Sequence, residues 1–299
     1  MFSAFERKVA MRYLRARRQE GFISVISWFS LLGIGLGVAT LIIVMAVMNG
    51  FRAELFDRIL GLNGHLNVYG QDGLLVDYQP LIEKLKLVGG VVDVSPSVEG
   101  QALISQNGTA SGALVRGVVP ELFRHRQTVA QHIVSGTLAN FDEDRIAIGV
   151  RMAQRLGVHV GETIMLISPT SKSTVFGSAP RMRAYEVAAI FDVGMFEYDN
   201  SFVFMPMGAA QVFFRYGEGI STLELFVKDP HHMTQVENDI VAALGGTNTR
   251  LSNWQQNNAS FFTALQVERN VMFLILSLII MVAAFNIISG LIMLVKDKG

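Results

Sequence analysis

The sequence predicts an α-helical membrane protein with two spans and a large extracytoplasmic α+β domain between them, and three observations carry that prediction. Only 17% of the 299 residues are charged and mean hydropathy is +0.38, where a soluble domain has about a quarter charged residues. Residues 22–48 and 270–295 contain no Asp, Glu, Lys or Arg. Between them lie about 220 residues of mixed helix and strand patterning, enough for a domain with its own core. The balance of 25 basic and 25 acidic residues argues against a nucleic-acid partner, and the apolar content excludes disorder. The absence of cysteine removes disulfide frameworks and thiol chemistry.

Residues 1–21 read as a cytoplasmic, interfacial amphipathic helix. Phe2, Phe5, Val9, Tyr13 and Ala16 fall near one face, with Arg7, Lys8, Arg12 and Arg15 on others, as in a helix lying in the headgroup region. Residues 22–48 form the first span. At about 1.5 Å per residue the stretch can cross a ~30 Å hydrocarbon core, and it is too long for the apolar part of a cleaved leader. Its Gly33, Gly35 and Gly37 read as a close-packing face, because a phosphate-cradling glycine loop needs a helix start open to water. Residues 49–269 form the extracytoplasmic domain with stalk helices at both ends. Residues 270–295 are the second span, and 296–299 return to the cytoplasm. The flank before the first span carries a net +4, and 49–269 a net −5, so both termini are expected inside.

Within the domain, strands are expected at 65–69, 113–119, 145–148, 162–168, 183–192, 201–205 and 221–227, and extended chain at 91–105. Helices are expected at 78–87, 148–156, 206–214, 232–244 and 255–268, the last running into the second span. Helices alternating with antiparallel hairpins predict an α+β fold of split-βαβ type with a β-rich subdomain inserted around 100–200.

No catalytic set stands out. His231-His232 lacks a third ligand at a supporting spacing, and Asp142-Glu143-Asp144 lacks the alternating ligands and glycine of a calcium loop. Two other features suggest binding. The segment Pro169–Pro180 is a proline-bracketed hairpin arm with Val175 and Phe176 near its tip and Arg181 and Arg183 at its base. Apolar groups at a loop tip are unfavourable unless a partner covers them, though a hairpin without a partner fits the residues too. Along the stalks, Met48, Phe51, Leu55 and Ile59 recur at helical spacing, as do Phe261, Phe262, Leu265 and Met272. Side by side they would wall an apolar chamber; ordinary packing onto the stalks fits the same stripes.

Several stretches together resemble one family. Met11-Arg12-Tyr13-Leu14-Arg15-Ala16-Arg17-Arg18, Val25-Ile26-Ser27-Trp28-Phe29-Ser30, Gly33-Ile34-Gly35-Leu36-Gly37-Val38, Val47-Met48-Asn49-Gly50-Phe51, Phe196-Glu197-Tyr198-Asp199 and the run from Glu268 to Gly299 resemble the LolC/LolE membrane subunits of the lipoprotein-releasing ABC transporter, including the hybrid LolF kind. The resemblance implies a non-catalytic permease in the bacterial inner membrane with a MacB-like periplasmic core, and two further spans and a coupling helix beyond Gly299. It implies a cytoplasmic LolD-like ATPase holding ATP and magnesium, a second membrane subunit or homodimer mate, triacylated lipoproteins as cargo, and a soluble LolA-like carrier. Pro169, Val175, Phe176 and Pro180 then look like a carrier-binding hook, and Arg181 and Arg183 like the pad beside it. Met48, Phe51, Leu55, Phe261 and Leu265 look like the lining of a lipid chamber. No cofactor is implied for this chain. The alternatives are a MacB- or FtsX-type transmitter acting on a periplasmic partner, and a two-span periplasmic sensor.

Overall fold

The computed structural model describes residues 21–71, 73–142, 144–169, 172–174, 177–230 and 232–296. The helix expected over 1–21 lies outside them except at its last position. The chain divides into two compact units, Met1–Glu54 with Ala259–Gly299, and Leu55–Asn258.

The described elements run α1 (Gly21–Leu62), β1 (Leu66–Gly70), α2 (Gln79–Lys86), β2 (Val91–Gln106), β3 (Thr109–Val118), α3 (Pro120–His125), α4 (Gln127–Ala130), β4 (Ile133–Gly136), a 3-10 turn (Leu138–Asn140), β5 (Arg145–Gly149) and α5 (Val150–Leu156). They continue with β6 (Thr163–Ile167), β7 (Lys172–Thr174), β8 (Gly177–Ala179), β9 (Met182–Phe191), α6 (Phe196–Ser201), β10 (Phe202–Pro206), α7 (Met207–Phe214), β11 (Thr222–Val227), α8 (Thr234–Leu244), β12 (Thr249–Asn253), α9 (Trp254–Asn257) and α10 (Ala259–Lys296).

Two sheet systems share the sixteen-residue strand β2. Its first half pairs with β11, and β1 lies between β11 and β12, giving the antiparallel order β12-β1-β11-β2. With α2 after β1 and α8 after β11, this is a split-βαβ arrangement. The second half of β2 pairs with β3 and with β6. From β3 the ladder passes through β10, β5 and β9 back to β6, so six strands close on themselves. Closure removes the free edges that an inserted sheet would otherwise expose. Alternate residues point inward, among them Ile104, Val115, Ile148, Ile164, Leu166, Val187 and Val203, all buried. An aromatic cluster of Phe123, Phe141, Phe191 and Phe204 extends this core, and Leu62, the last residue of α1, packs within it.

Local chemistry explains several boundaries. The helix expected from Ile148 begins at Val150, because Ile148 and Gly149 continue β5. Gly149 is extended (φ −71, ψ 150) and sits against the backbone of Asp199, where a β-carbon would collide. Gly157 ends α5 in the left-handed region at φ 63, which glycine adopts without steric cost. The helix expected over 255–268 is interrupted. Asn253 and Gln256 form a reciprocal capping box that starts the short α9, Asn258 leaves helical geometry, and α10 begins at Ala259. Strands β4 and β12 and helices α3, α4 and α6 were not expected from the sequence.

The other unit contains α1 up to Glu54 and α10. Leu31–Leu62 and Thr263–Ser289 are long and apolar enough to cross a membrane, and few of their residues are buried in the protein. The glycines of α1 do not form the close-packed face expected of them. A β-carbon at Gly33 or Gly35 would meet nothing within 4 Å, and one at Gly37 would reach only ordinary contact with Ile279, at 3.9 Å.

Candidate functional site

Where α1 and α10 face each other, two clefts open between them. The first, about 480 Å³, is lined by Phe29, Gly33, Ile34, Gly37, Leu278, Ile279 and Val282. Here the glycines act by omission, since the absent side chains leave space that Leu or Ile would fill. The second, about 240 Å³, has a thioether and aromatic wall of Met45, Met48, Met272, Phe273 and Leu276 and a polar end of Asn49, Arg52, Glu268 and Arg269. Arg52 Nη2 donates to Glu268 Oε2 at 2.8 Å. Methionine's flexible, polarisable side chain lets such a wall adapt its shape.

In the Leu55–Asn258 unit, the end of α1 meets a buried polar cluster. Arg116, near the end of β3, donates from Nη2 to Glu99 Oε1 at 2.7 Å and lies 3.5 Å from Glu224 Oε1. Its Nη1 also donates to Asn63 Oδ1 at 3.0 Å and to the Leu62 carbonyl at 3.3 Å. Arg126 Nη1 donates to the same carbonyl at 3.1 Å, and Arg126 Nη2 to Glu224 Oε2 at 3.0 Å. Burial works against the Arg116 charge, but the carboxylates of Glu99 and Glu224 more than offset it and hold the guanidinium protonated. The Phe202 ring lies under it at 5.3 Å. Asn63 also donates to the Tyr198 hydroxyl, and burial raises the pKa of that phenol. A cavity of about 220 Å³ adjoins the cluster. Its lining includes Asn63 and Gly64 after α1 and Trp254, Asn257 and Asn258 before α10.

At the arm, β7 and β8 pair as an antiparallel hairpin from Lys172–Ala179 to Thr174–Gly177. Pro169 and Pro180 are exposed at its base. Arg181 Nη1 donates to the Val212 carbonyl at 2.6 Å. Arg183 Nη2 pairs with Asp144 Oδ1 at 2.9 Å, and its guanidinium lies 5.3 Å from the Tyr185 ring centre. Both arginines are half-buried, so each carries a fixed guanidinium beside the arm.

Residues 27–243 match the MacB-like periplasmic core domain family. Across its whole length the chain is 35% identical to the lipoprotein-releasing system transmembrane protein LolC of Xylella fastidiosa strain Temecula1, covering 72% of that protein. The chain belongs to the LolC/LolE family. It is 32% identical to LolC of Neisseria meningitidis serogroup B over 100% of this chain and 72% of that one. To LolE of Haemophilus influenzae it is 28% identical, over 97% and 71% respectively.

Several of the stretches that carried the LolC/LolE resemblance fall at these sites. In Met48-Asn49-Gly50-Phe51, Met48 and Asn49 line the second cleft. In Phe196-Glu197-Tyr198-Asp199, Tyr198 bonds the residue after α1, and Asp199 accepts from the Val193 N–H at 2.9 Å. The expected chamber residues separate. Met48 lines the cleft, whereas Phe51 is 54% exposed and Leu265 half-buried, and neither is among the lining residues. The side chains of Leu55 and Phe261 lie outside the described residues, as do Val175 and Phe176 of the arm.

Sequence reasoning missed Arg52, Glu268 and the Arg116 cluster. A signal for each was present. Arg116 and Glu224 are single charges inside the apolar strand runs Ala113–Val119 and Leu223–Val227, and a charge there must be paired. Arg52 and Glu268 each stand within a turn or so of an apolar stretch that lines the cleft.

Proposed function

We propose that this chain is a transmembrane subunit of an ATP-driven lipoprotein exporter, extracting triacylated lipoproteins from the outer leaflet of the inner membrane and passing them to a soluble periplasmic carrier. The observation that supports this reading best is the Met48 cleft, an apolar slot with a charged end between two helices of membrane-spanning length, in a chain of the LolC/LolE family. Such a slot accepts acyl chains along its thioether wall and leaves the polar head of the lipid near Arg52, Glu268 and Arg269.

The energetic problem defines the division of labour. Each buried CH₂ holds a lipid in the bilayer by about 0.8 kcal/mol, so three acyl chains do not leave spontaneously. A separate cytoplasmic ABC ATPase, binding ATP and magnesium, supplies the work, and this chain supplies the path. Both termini are cytoplasmic and the 49–269 segment is periplasmic, in keeping with the +4 flank and the −5 domain. A second subunit of the same family, or a second copy, completes the chamber. The Pro169–Pro180 arm captures the carrier through Val175 and Phe176, with Arg181 and Arg183 as a basic pad.

The test is reconstitution of the full transporter in proteoliposomes with a triacylated lipoprotein inside the accessible leaflet. ATP should release the lipoprotein as a soluble complex with the carrier. Hydrolysis without release would favour the transmitter reading, in which the moving part is a periplasmic partner.

A further inference from the structure

The end of α1 is not merely packed on the domain; its terminal carbonyl is held by two arginines from different elements. Leu62 O accepts from Arg116 on β3 and from Arg126, which follows α3. Glu224 on β11 accepts from Arg126 and pairs with Arg116, and Glu99 on β2 closes the other side of Arg116. The cluster therefore joins the helix end to the closed six-strand system through β3 and to the split-βαβ sheet through β11, with β2 common to both. Around it, Arg58 on the last turns of α1 donates to the Val193 carbonyl at 2.8 Å. Phe56 meets Trp254, five residues before Ala259, edge-to-face at 5.4 Å.

Stability alone does not account for such a cluster. Burying several charges costs desolvation energy that their attraction often only balances, and apolar replacements of similar volume are commonly neutral or stabilising. Apolar packing, however, tolerates sliding and rotation, whereas charge-assisted hydrogen bonds in a fork geometry fix direction and register. The adjoining cavity of about 220 Å³ leaves room on one side of the helix end, so direction there is set by the arginines.

We propose that Arg116, Arg126 and Glu224 are the coupling joint of the transporter, positioning residues that grip the Leu62 carbonyl so that displacement of the first long helix moves the periplasmic sheets. This rests on the exporter reading above. The joint's work is to hold the helix end in a fixed direction against β3 and β11.

The experiment replaces the cluster by apolar residues, R116M/E224L/R126M, in the full transporter, and measures thermal stability, ATP hydrolysis and ATP-driven lipoprotein release. The expected result is a folded, assembled complex whose hydrolysis stays within about twofold of wild type while release per ATP falls at least ~10-fold, within the range spanned by coupling between distant sites. An unchanged ratio of release to hydrolysis in a folded complex overturns the proposal. Should the triple variant not assemble, Arg126→Lys decides. It keeps a charge beside Glu224 but lacks the fork that reaches Glu224 and Leu62 together, so release per ATP should fall about 5-fold, and an unchanged ratio again overturns it. A wild-type complex that hydrolyses ATP without releasing lipoprotein would remove the exporter reading itself, a result distinct from either variant outcome.

Discussion

Arg52 and Glu268, 216 positions apart in sequence, meet at 2.8 Å between the two long helices at the polar end of the Met48 cleft. Each side chain keeps only about a quarter of its surface exposed, so the pair is better shielded than an ordinary surface ion pair. It ties α1 to α10 at the charged end of the cleft.

Breaking that pair should loosen the helices. Arg52→Ala or Glu268→Ala is expected to weaken their association by about 1 kcal/mol, the upper end for exposed pairs. The exchanged pair, R52E/E268R, should recover most of the loss. Spin-label distances between the helices in the reconstituted transporter check this; equal broadening in single and exchanged variants would mean that the pair is incidental.

A charge in the cleft should exclude acyl chains. Met48→Lys puts a strongly hydrated ammonium group in the thioether wall, where a charge without a partner is unfavourable. Lipoprotein entry should fall at least tenfold, while carrier binding stays intact. Phe51→Lys, on an exposed position outside the lining, should have a clearly smaller effect on entry. Entry assays on the two variants side by side separate cleft-lining from general membrane disturbance.

At the arm, Phe176→Ala should weaken carrier capture by about 1–2 kcal/mol, as for an aromatic anchor at an interface. Arg183→Ala should weaken it as well, without affecting lipoprotein entry. Because Arg183 is paired with Asp144, Asp144→Asn frees the guanidinium and should leave capture unchanged or tighter. Carrier affinities measured at two salt concentrations test this, since an electrostatic contact loses strength as salt rises.

Asp199 predicts a pH effect on stability. It is buried, and burial raises its pKa above the usual carboxylate value despite the Val193 N–H that favours its charge; neighbouring Asp192 raises it further. The folded protein therefore holds this proton more tightly than the unfolded chain does. Its contribution is most favourable below the ordinary Asp range and is lost as pH climbs through the raised value. Asp199→Asn should be more stable than wild type above that window and show no gain below it. Thermal unfolding of the full chain across the acid and neutral range reads the difference.

The periodic parts of the fold were legible. Long apolar stretches without charge and alternating strands such as Thr222–Val227 carry their pattern locally, and the split-βαβ order follows from a few such strands and two helices. What was missed lacks a local pattern. Strand β12, Thr-Arg-Leu-Ser-Asn, has one large aliphatic residue and sits at a sheet edge, with Arg250 stacked on Tyr69 of β1. Strand β4 is four residues long and bulged against β9. The site was legible in the same uneven way. Helical spacing picked out both Met48, which lines the cleft, and Phe51, which does not, because a stripe does not say which of its edges faces the neighbouring helix. Arg52 with Glu268, and Arg116 with Glu224, are pairings over a hundred or more residues that no local window contains.

The most direct test of the account places a photo-reactive residue at position 48 or at position 51 in the full transporter, loaded with a lipoprotein carrying labelled acyl chains. The account predicts crosslinking to the acyl label from position 48 well above that from position 51, lost when ATP and the carrier are added. Equal labelling from both positions, or labelling from position 48 that ATP and carrier leave unchanged, would contradict it.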